Sequence, residues 1–277
     1  MNNLVSVKWL HEHLHDPEIV IFDASMRNPL PGQKNQARQA YIPDTRLFDF
    51  EQSICDQDAS LSYMMPTAEQ FQQQVRALGV NQSSTIVVYD NMGIYSSPRA
   101  WWMFKSMGAK KVYVLDGGLP AWQALDLPVV DAPVRDVPHG DFVCKPSPGF
   151  FVDRDTILEA TSQEQVCIVD ARSPSRFTGG EKDPRPHVRA GHIPSSLNLH
   201  YKLLTQDGLM KSESELQQLF QQRQLNQHTP CLFSCGSGIT ACILALAATQ
   251  LGMTQLSVYD GSWSDWGADS SLPVELG

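Results

Sequence analysis

The sequence has no surplus of positive charge: 21 Lys and Arg face 30 Asp and Glu, a net charge of −9 over 277 residues. Nucleic-acid backbones and anionic membrane surfaces are gripped by excess Lys and Arg, so this balance argues against both kinds of partner. No apolar run is long enough to cross a bilayer. The most apolar stretch, "TACILALAA" (240–248), falls well short of the roughly 20 residues a spanning helix needs. The start, "MNNLVSVKWLHEHLHDPE", lacks the basic opening and apolar core of a secretory leader, and a cytoplasmic enzyme is the expectation. There is no CxxC pair and no His beside a Cys, which removes zinc sites of ordinary spacing. The six cysteines, at 55, 144, 167, 231, 235 and 242, are too sparse for a disulfide-built secreted module. Neither a metal nor an organic cofactor is implied.

What is present is a globular composition, 42% hydrophobic with 18% charged residues, at a length that suits two domains. The chain also repeats itself. "TIVVYDNMGIYSSPRAWWMFKSMGAKKVYVLDGGLPAW" in the first half lies along "TPCLFSCGSGITACILALAATQLGMTQLSVYDGSWSDW" in the second. Asp90 then falls on Cys235, Asp116 on Asp260 and Trp122 on Trp266. Upstream, "IVIFDAS" (19–25) matches "CIVDARS" (167–173), and "YIPDTRLF" (41–48) resembles "HIPSSLNL" (192–199). The division that follows is a first domain over 1–128, a Pro-rich connector over 129–149 and a second domain over 150–277. Prolines at 128, 133, 138, 146 and 148 keep that connector extended.

Within each half, β-rich runs at 19–23, 85–89 and 111–115, then at 166–170, 230–234 and 255–259, alternate with helical patterns. Thr67 with Gln70, and Ser212 with Glu215, form capping boxes, and Gly79 stops the first of these helices. Ser97 reads as an N-cap with Pro98 at the first helical position. Continuous apolar strands alternating with helices predict an α/β fold, each half a parallel sheet flanked by helices. In such sheets ligands sit where strand C-termini meet helix N-termini.

"LFSCGSGITAC" (232–242) lies at that junction. Cys231 belongs to the strand and Cys242 to the helix, both read as small buried hydrophobes, and only Cys235 is placed in a loop. Gly236 and Gly238 can take dihedrals closed to other residues, so that successive N–H groups turn inward as an anion nest. The helix beginning near Thr240 aims its dipole at the same point, and Ser237 and Thr240 add hydroxyl donors. Such a cradle stabilises a thiolate, or the outer sulfur of a persulfide. A cysteine phosphatase would need an arginine six positions after the cysteine, and position 241 is Ala. A packing role for Cys235 remains the other reading.

The repeat, together with "GHIPSSLNL", "YSSPRAWWMF", "YDGSWSDW" and "CGSGIT", resembles the two-domain rhodanese family over nearly the whole chain, and within it the branch that uses 3-mercaptopyruvate. The resemblance implies two tandem rhodanese-like domains, the first catalytically silent with Asp90 at the cysteine position. It implies sulfur transfer from 3-mercaptopyruvate through a Cys235 persulfide, cradled by Gly236, Ser237, Gly238, Ile239 and Thr240, to cyanide, a small thiol or a reduced thioredoxin-like protein. Arg176 and Arg185 stand where that branch holds its substrate-binding arginines; Arg172 and Arg189 are read as structural. Thiosulfate-preferring members carry basic residues after the cysteine, where this chain has Gly236 and Ser237. One departure is that Glu51 and Tyr63 stand where several members have an Asp and a His, which puts a Ser-His-Asp relay in doubt and leaves room for thiosulfate.

His11 and His15, four apart on an expected helix, are taken as solvent-facing and not as metal ligands. His192 is read as a structural hydrogen-bonding residue, and the six tryptophans, with pairs at 101–102 and 263/266, as packing at the domain edges.

Overall fold

The computed structural model describes residues 3–27, 40–163 and 165–277. In the first half lie β1 (Leu4–Val5), α1 (Val7–Glu12), β2 (Ile19–Asp23), β3 (Thr45–Leu47) and α2 (Ala68–Ala77). They are followed by β4 (Thr85–Tyr89), α3 (Ser97–Ser106), β5 (Val112–Leu115) and α4 (Gly118–Gln123). The second half contains β6 (Phe151–Val152), α5 (Arg154–Ala160), β7 (Cys167–Asp170), α6 (Pro174–Phe177), β8 (Leu197–Asn198) and a hairpin of β9 (Thr205–Gln206) and β10 (Leu209–Met210). It closes with α7 (Glu213–Gln221), β11 (Cys231–Ser234), α8 (Ala241–Gln250), β12 (Leu256–Tyr259) and α9 (Ser262–Trp266).

Each half builds a five-stranded sheet in the same order, β1-β5-β4-β2-β3 and β6-β12-β11-β7-β8. All pairs in both are parallel. The sequence pattern locates the three inner strands of each to within a residue. It misses the outer strands, which are only two or three residues long and carry little periodicity.

The two halves share one interior. A single apolar cluster runs from Phe22, Phe48 and Phe104 of the first half to Phe233, Ile243 and Leu244 of the second. At its centre α3 lies against α8. This placement explains why α8 is apolar on every face, with Ala241 through Ala248 all buried: a helix covered by its own sheet and by a neighbouring helix has no wet side to colour polar. Smaller clusters cover the outer faces, around Trp122 in one half and Trp263 and Trp266 in the other. Five of the six tryptophans are therefore core residues, Trp9 being only partly buried. Trp101, Trp122, Trp263 and Trp266 are all fully buried, which corrects the placement at domain edges.

Both capping boxes are present. Ser97, however, is the first residue of α3 and not its cap. The cap is Ser96, which makes no side-chain capping bond, because a carboxylate described below already takes the free N–H groups. Helix α1 ends at Glu12, so His15 lies beyond it.

The proline-rich stretch 129–149 forms no helix or named strand and is strapped to the first half. Gly140 N–H donates to the Arg76 carbonyl (2.8 Å) and Phe142 N–H to that of Val80 (3.1 Å), while Lys145 and Ser147 bond Met107 and Ser106. A Cβ on Gly140 would stand 1.9 Å from the Val80 oxygen. Gly140→Ala should therefore lift the strap and lower stability by about 1–3 kcal/mol, read as a drop in thermal midpoint.

Candidate active site

The loop from Cys235 to Thr240 joins β11 to α8, and the Cys235 side chain at its base is buried, 2% exposed. A residue that sequence reading passed over holds this loop in place. Ser262 Oγ accepts the N–H groups of Cys235 (3.1 Å) and Gly238 (3.0 Å), donates to the Tyr259 carbonyl (2.8 Å) and stands 4.0 Å from Cys235 Sγ. Gly238 has φ +73°, and a Cβ there would meet the Asp260 carbonyl at 2.7 Å, so no other residue type fits. Among the described residues, the N–H groups of Gly236, Ser237, Ile239 and Thr240 have no acceptor. They remain available to a ligand.

The first half contains the same loop already filled. The Asp90 carboxylate, fully buried, accepts N–H bonds from Met92, Tyr95, Ser96 and Ser97 at 2.9–3.0 Å and the Ser97 hydroxyl at 2.7 Å. By the repeat, Met92, Tyr95 and Ser96 correspond to Ser237, Thr240 and Ala241. The chain's own carboxylate thus occupies the anion nest in one half, and a cysteine sulfur stands at the same point in the other.

Arg176, on α6, and Arg185 lie beside the loop. Both grip Asp183: Arg176 from Nη2 at 2.5 Å, Arg185 from Nε at 2.8 Å and Nη2 at 3.1 Å. Arg185 Nη1 also donates to the Gly236 carbonyl at 3.0 Å. A Cβ on Gly236 would lie 3.5 Å from Arg185 Nη2 and 3.7 Å from Arg176 Nη2, so glycine leaves the space between the loop and both guanidinium groups open. The arginine side chains are partly exposed while Asp183 is buried beneath them. Burial by itself would raise the Asp183 carboxyl, but hydrogen bonds from Arg185 and Arg176 hold it down to about 2.

A depressed carboxylate stabilises the fold above its unfolded value near 4 and loses that contribution as pH falls towards 2. Asp183→Asn should cost about 1.5–3 kcal/mol at neutral pH, the range for hydrogen bonds to charged groups. The gap between wild type and variant, measured by urea unfolding at successive pH values, should close below roughly pH 4.

Two tyrosines approach from opposite halves. The rings of Tyr95 and Tyr201 meet edge to face at 5.7 Å. Burial raises both hydroxyls, with the Cys235 sulfur adding to the effect. Tyr63 is half-buried, with its backbone in the left-handed region at φ +69°. Burial raises its hydroxyl too, Glu51 reinforcing and Arg185 opposing. Glu51 accepts the Arg27 N–H at 2.7 Å.

The remaining cysteines are free. Burial pushes the Cys231 thiol up to about 12, and Cys242 is raised further, so neither competes as a nucleophile. Cys55 and Cys144 also lie outside helices and strands, contrary to the reading that only Cys235 would. Arg172 is buried on Asp170, Arg189 bonds four backbone carbonyls, and His192 Nδ1 sits 2.8 Å from the Phe177 carbonyl. All three are structural, as read. No group of three His, Cys, Asp or Glu that could hold a metal exists among the described residues, and no helix among them is long and apolar enough to cross a membrane.

One residue could have been found from the repeat. Gly118, at φ +53°, aligns with Ser262, at φ +50°, and a serine on a glycine position is a signal in itself. Asp183, between the two arginines in "EKDPRPH", gave no such signal.

The model of the rhodanese-like domain matches residues 6–125 and again 154–269. A 3-mercaptopyruvate sulfurtransferase of Escherichia coli is 39% identical over 98% of this chain and 97% of its own. The mitochondrial thiosulfate/3-mercaptopyruvate sulfurtransferase 1 of Arabidopsis thaliana is 35% identical, over 98% of this chain and 78% of its own. A crystal structure from Escherichia coli, described as a 3-mercaptopyruvate sulfotransferase with the rhodanese fold, superposes with a TM-score of 0.85 at 36% identity, covering 95% of this chain and 99% of that one.

Proposed function

The chain belongs to the rhodanese-like family, two domains of it in tandem, and from that premise we propose that it is a sulfurtransferase whose donor is 3-mercaptopyruvate and whose nucleophile is Cys235. The observation that carries the donor assignment is the pair of guanidinium groups, Arg176 and Arg185, facing Gly236 beside the cysteine. A keto acid presents a planar carboxylate, which such groups match with paired hydrogen bonds.

In the first step the Cys235 thiolate attacks the substrate sulfur. The S–S bond forms, the carbon–sulfur bond breaks, and its electron pair passes to carbon as the enolate of pyruvate, which takes a proton from solvent, while the proton of the substrate thiol leaves the outer sulfur for solvent. The product is Cys235–S–S⁻, its charge held by the free N–H groups of Gly236, Ser237, Ile239 and Thr240 and by the Ser237 and Thr240 hydroxyls. In the second step a thiophile attacks the outer sulfur and releases the Cys235 thiolate. Cyanide, a small thiol or a thiol of a reduced thioredoxin-like protein can serve, with the cytoplasm as the setting. Asp90, already occupying the first nest, leaves that domain silent.

Initial rates with 3-mercaptopyruvate and with thiosulfate, cyanide being the acceptor in both, test the proposal. Faster turnover of 3-mercaptopyruvate supports it. A preference for thiosulfate would reassign the donor, and stoichiometric persulfide loading without turnover would make the protein a sulfur carrier.

A further inference from the structure

The repeat brings the two halves together through two reciprocal contacts. Met65 N–H, of the first half, donates to Asp260 at 2.8 Å, and Met210 N–H, of the second, donates to Asp116 at 2.8 Å. Met65 and Met210 are repeat counterparts, each two residues before a capping Thr67 or Ser212, and Asp116 and Asp260 are counterparts as well. The symmetry breaks at one point. Asp260 is also paired with Arg99 of the first half, Nη2 to Oδ1 at 2.6 Å. The counterpart of Arg99 along the repeat is Leu244, and among the described residues Asp116 has no ion-pair partner.

Arg99 is fully buried. Its guanidinium joins three pieces of structure: Asp260, the Tyr63 carbonyl (2.6 Å) and the Gly238 carbonyl in the Cys235 loop (3.3 Å). Its Cζ also stands 4.5 Å above the Phe151 ring. The only charged interdomain contact of the reciprocal pair therefore falls on the side that carries the cysteine, and it reaches the loop itself. A plain docking contact would not need this asymmetry, since Asp116 and Met210 dock without it.

We infer that Arg99, from the silent domain, is a positioning residue for the reaction: it fixes the Gly238 carbonyl and so turns the loop N–H groups towards the Cys235 sulfur. The inference rests on the sulfurtransferase reading above. A peptide unit anchored by its carbonyl cannot rotate, and preorganised donors lose much of their value when they must reorient during the reaction.

The test compares Arg99→Leu, which installs the counterpart residue, with Arg99→Lys and with Asp116→Asn. Three quantities are read: the single-turnover rate of pyruvate release from 3-mercaptopyruvate against its KM, the rate at which iodoacetamide alkylates Cys235 at neutral pH, and the thermal midpoint. Arg99→Leu should slow release by roughly 100-fold, the scale seen when a preorganised donor is lost, with KM nearly unchanged. It should also slow alkylation. Arg99→Lys keeps the charge without the fork, should recover part of both rates, and stays readable if the leucine variant does not fold. Asp116→Asn should lower the midpoint and leave both rates alone. If Arg99 variants lower only the midpoint, as Asp116→Asn does, Arg99 is a docking residue and the inference is wrong. If wild type releases no pyruvate, the donor assignment falls instead, and the alkylation rates still decide the role of Arg99.

Discussion

Cys235→Ser is expected to remove sulfur transfer entirely while leaving the fold in place. The five other cysteines are free, but burial raises Cys55, Cys144, Cys167, Cys231 and Cys242, and none of them lies in the loop whose Gly236, Ser237, Ile239 and Thr240 N–H groups are free. A serine hydroxyl at the same point cannot form a persulfide. The loop should tolerate the change, because its shape is set by Ser262 and Gly238, not by the sulfur; Asp90 in the first half shows that a quite different side chain is accepted at that position. The cost to stability should be about 1 kcal/mol or less. Turnover with 3-mercaptopyruvate and cyanide, and intact mass after incubation with donor alone, are the measurements. Activity near wild type, with the added sulfur found on Cys231 or Cys242, would sink the assignment.

The second large effect is expected at Arg176 and Arg185. Nothing within the loop itself is cationic, so recognition of a donor carboxylate falls on these two groups. Replacing either by Gly should raise KM for 3-mercaptopyruvate strongly, a loss of about 2–5 kcal/mol being typical when one member of a buried charge pair is truncated. The two variants should not be identical. Arg185 also bonds the Gly236 carbonyl, so its loss should lower kcat as well, whereas Arg176 touches Asp183 alone among these partners. Thiosulfate, with no carboxylate, should lose less than 3-mercaptopyruvate in both. Equal losses for the two donors would mean that the arginines supply general positive potential near Cys235. No loss for either would remove them from the site.

The repeat, the inner strands and the capped helices were legible because each is encoded locally: apolar alternation, a hydroxyl three residues before a Gln or Glu, a glycine at a helix end. The Cys235 loop was legible for the same reason, since glycines at set positions permit one backbone path. Ser97 was misplaced by one residue because its capping signal was real but the N–H groups had another acceptor, Asp90, seven residues upstream. Trp101 and Trp102 were misplaced because a sequence cannot state that two helices lie between two sheets, and Trp263 and Trp266 because it cannot state that Ile157, Val188, Ile193 and Leu272 close over them on the outer face.

By itself the sequence determined that this protein is two copies of one α/β unit, that only the second carries a cysteine at the strand–helix junction, and that two arginines follow one another on a connecting segment. Tertiary structure alone decided that those arginines share Asp183 and face Gly236, that Ser262 braces the loop, and that Arg99 reaches Gly238 and Asp260 from 139 and 161 residues away. The division has a physical cause. Propensity, capping and turn chemistry act over a few residues and leave their mark in spacing, whereas a buried cation finds its carboxylate only when apolar faces such as those of α3 and α8 pack and bring distant residues together.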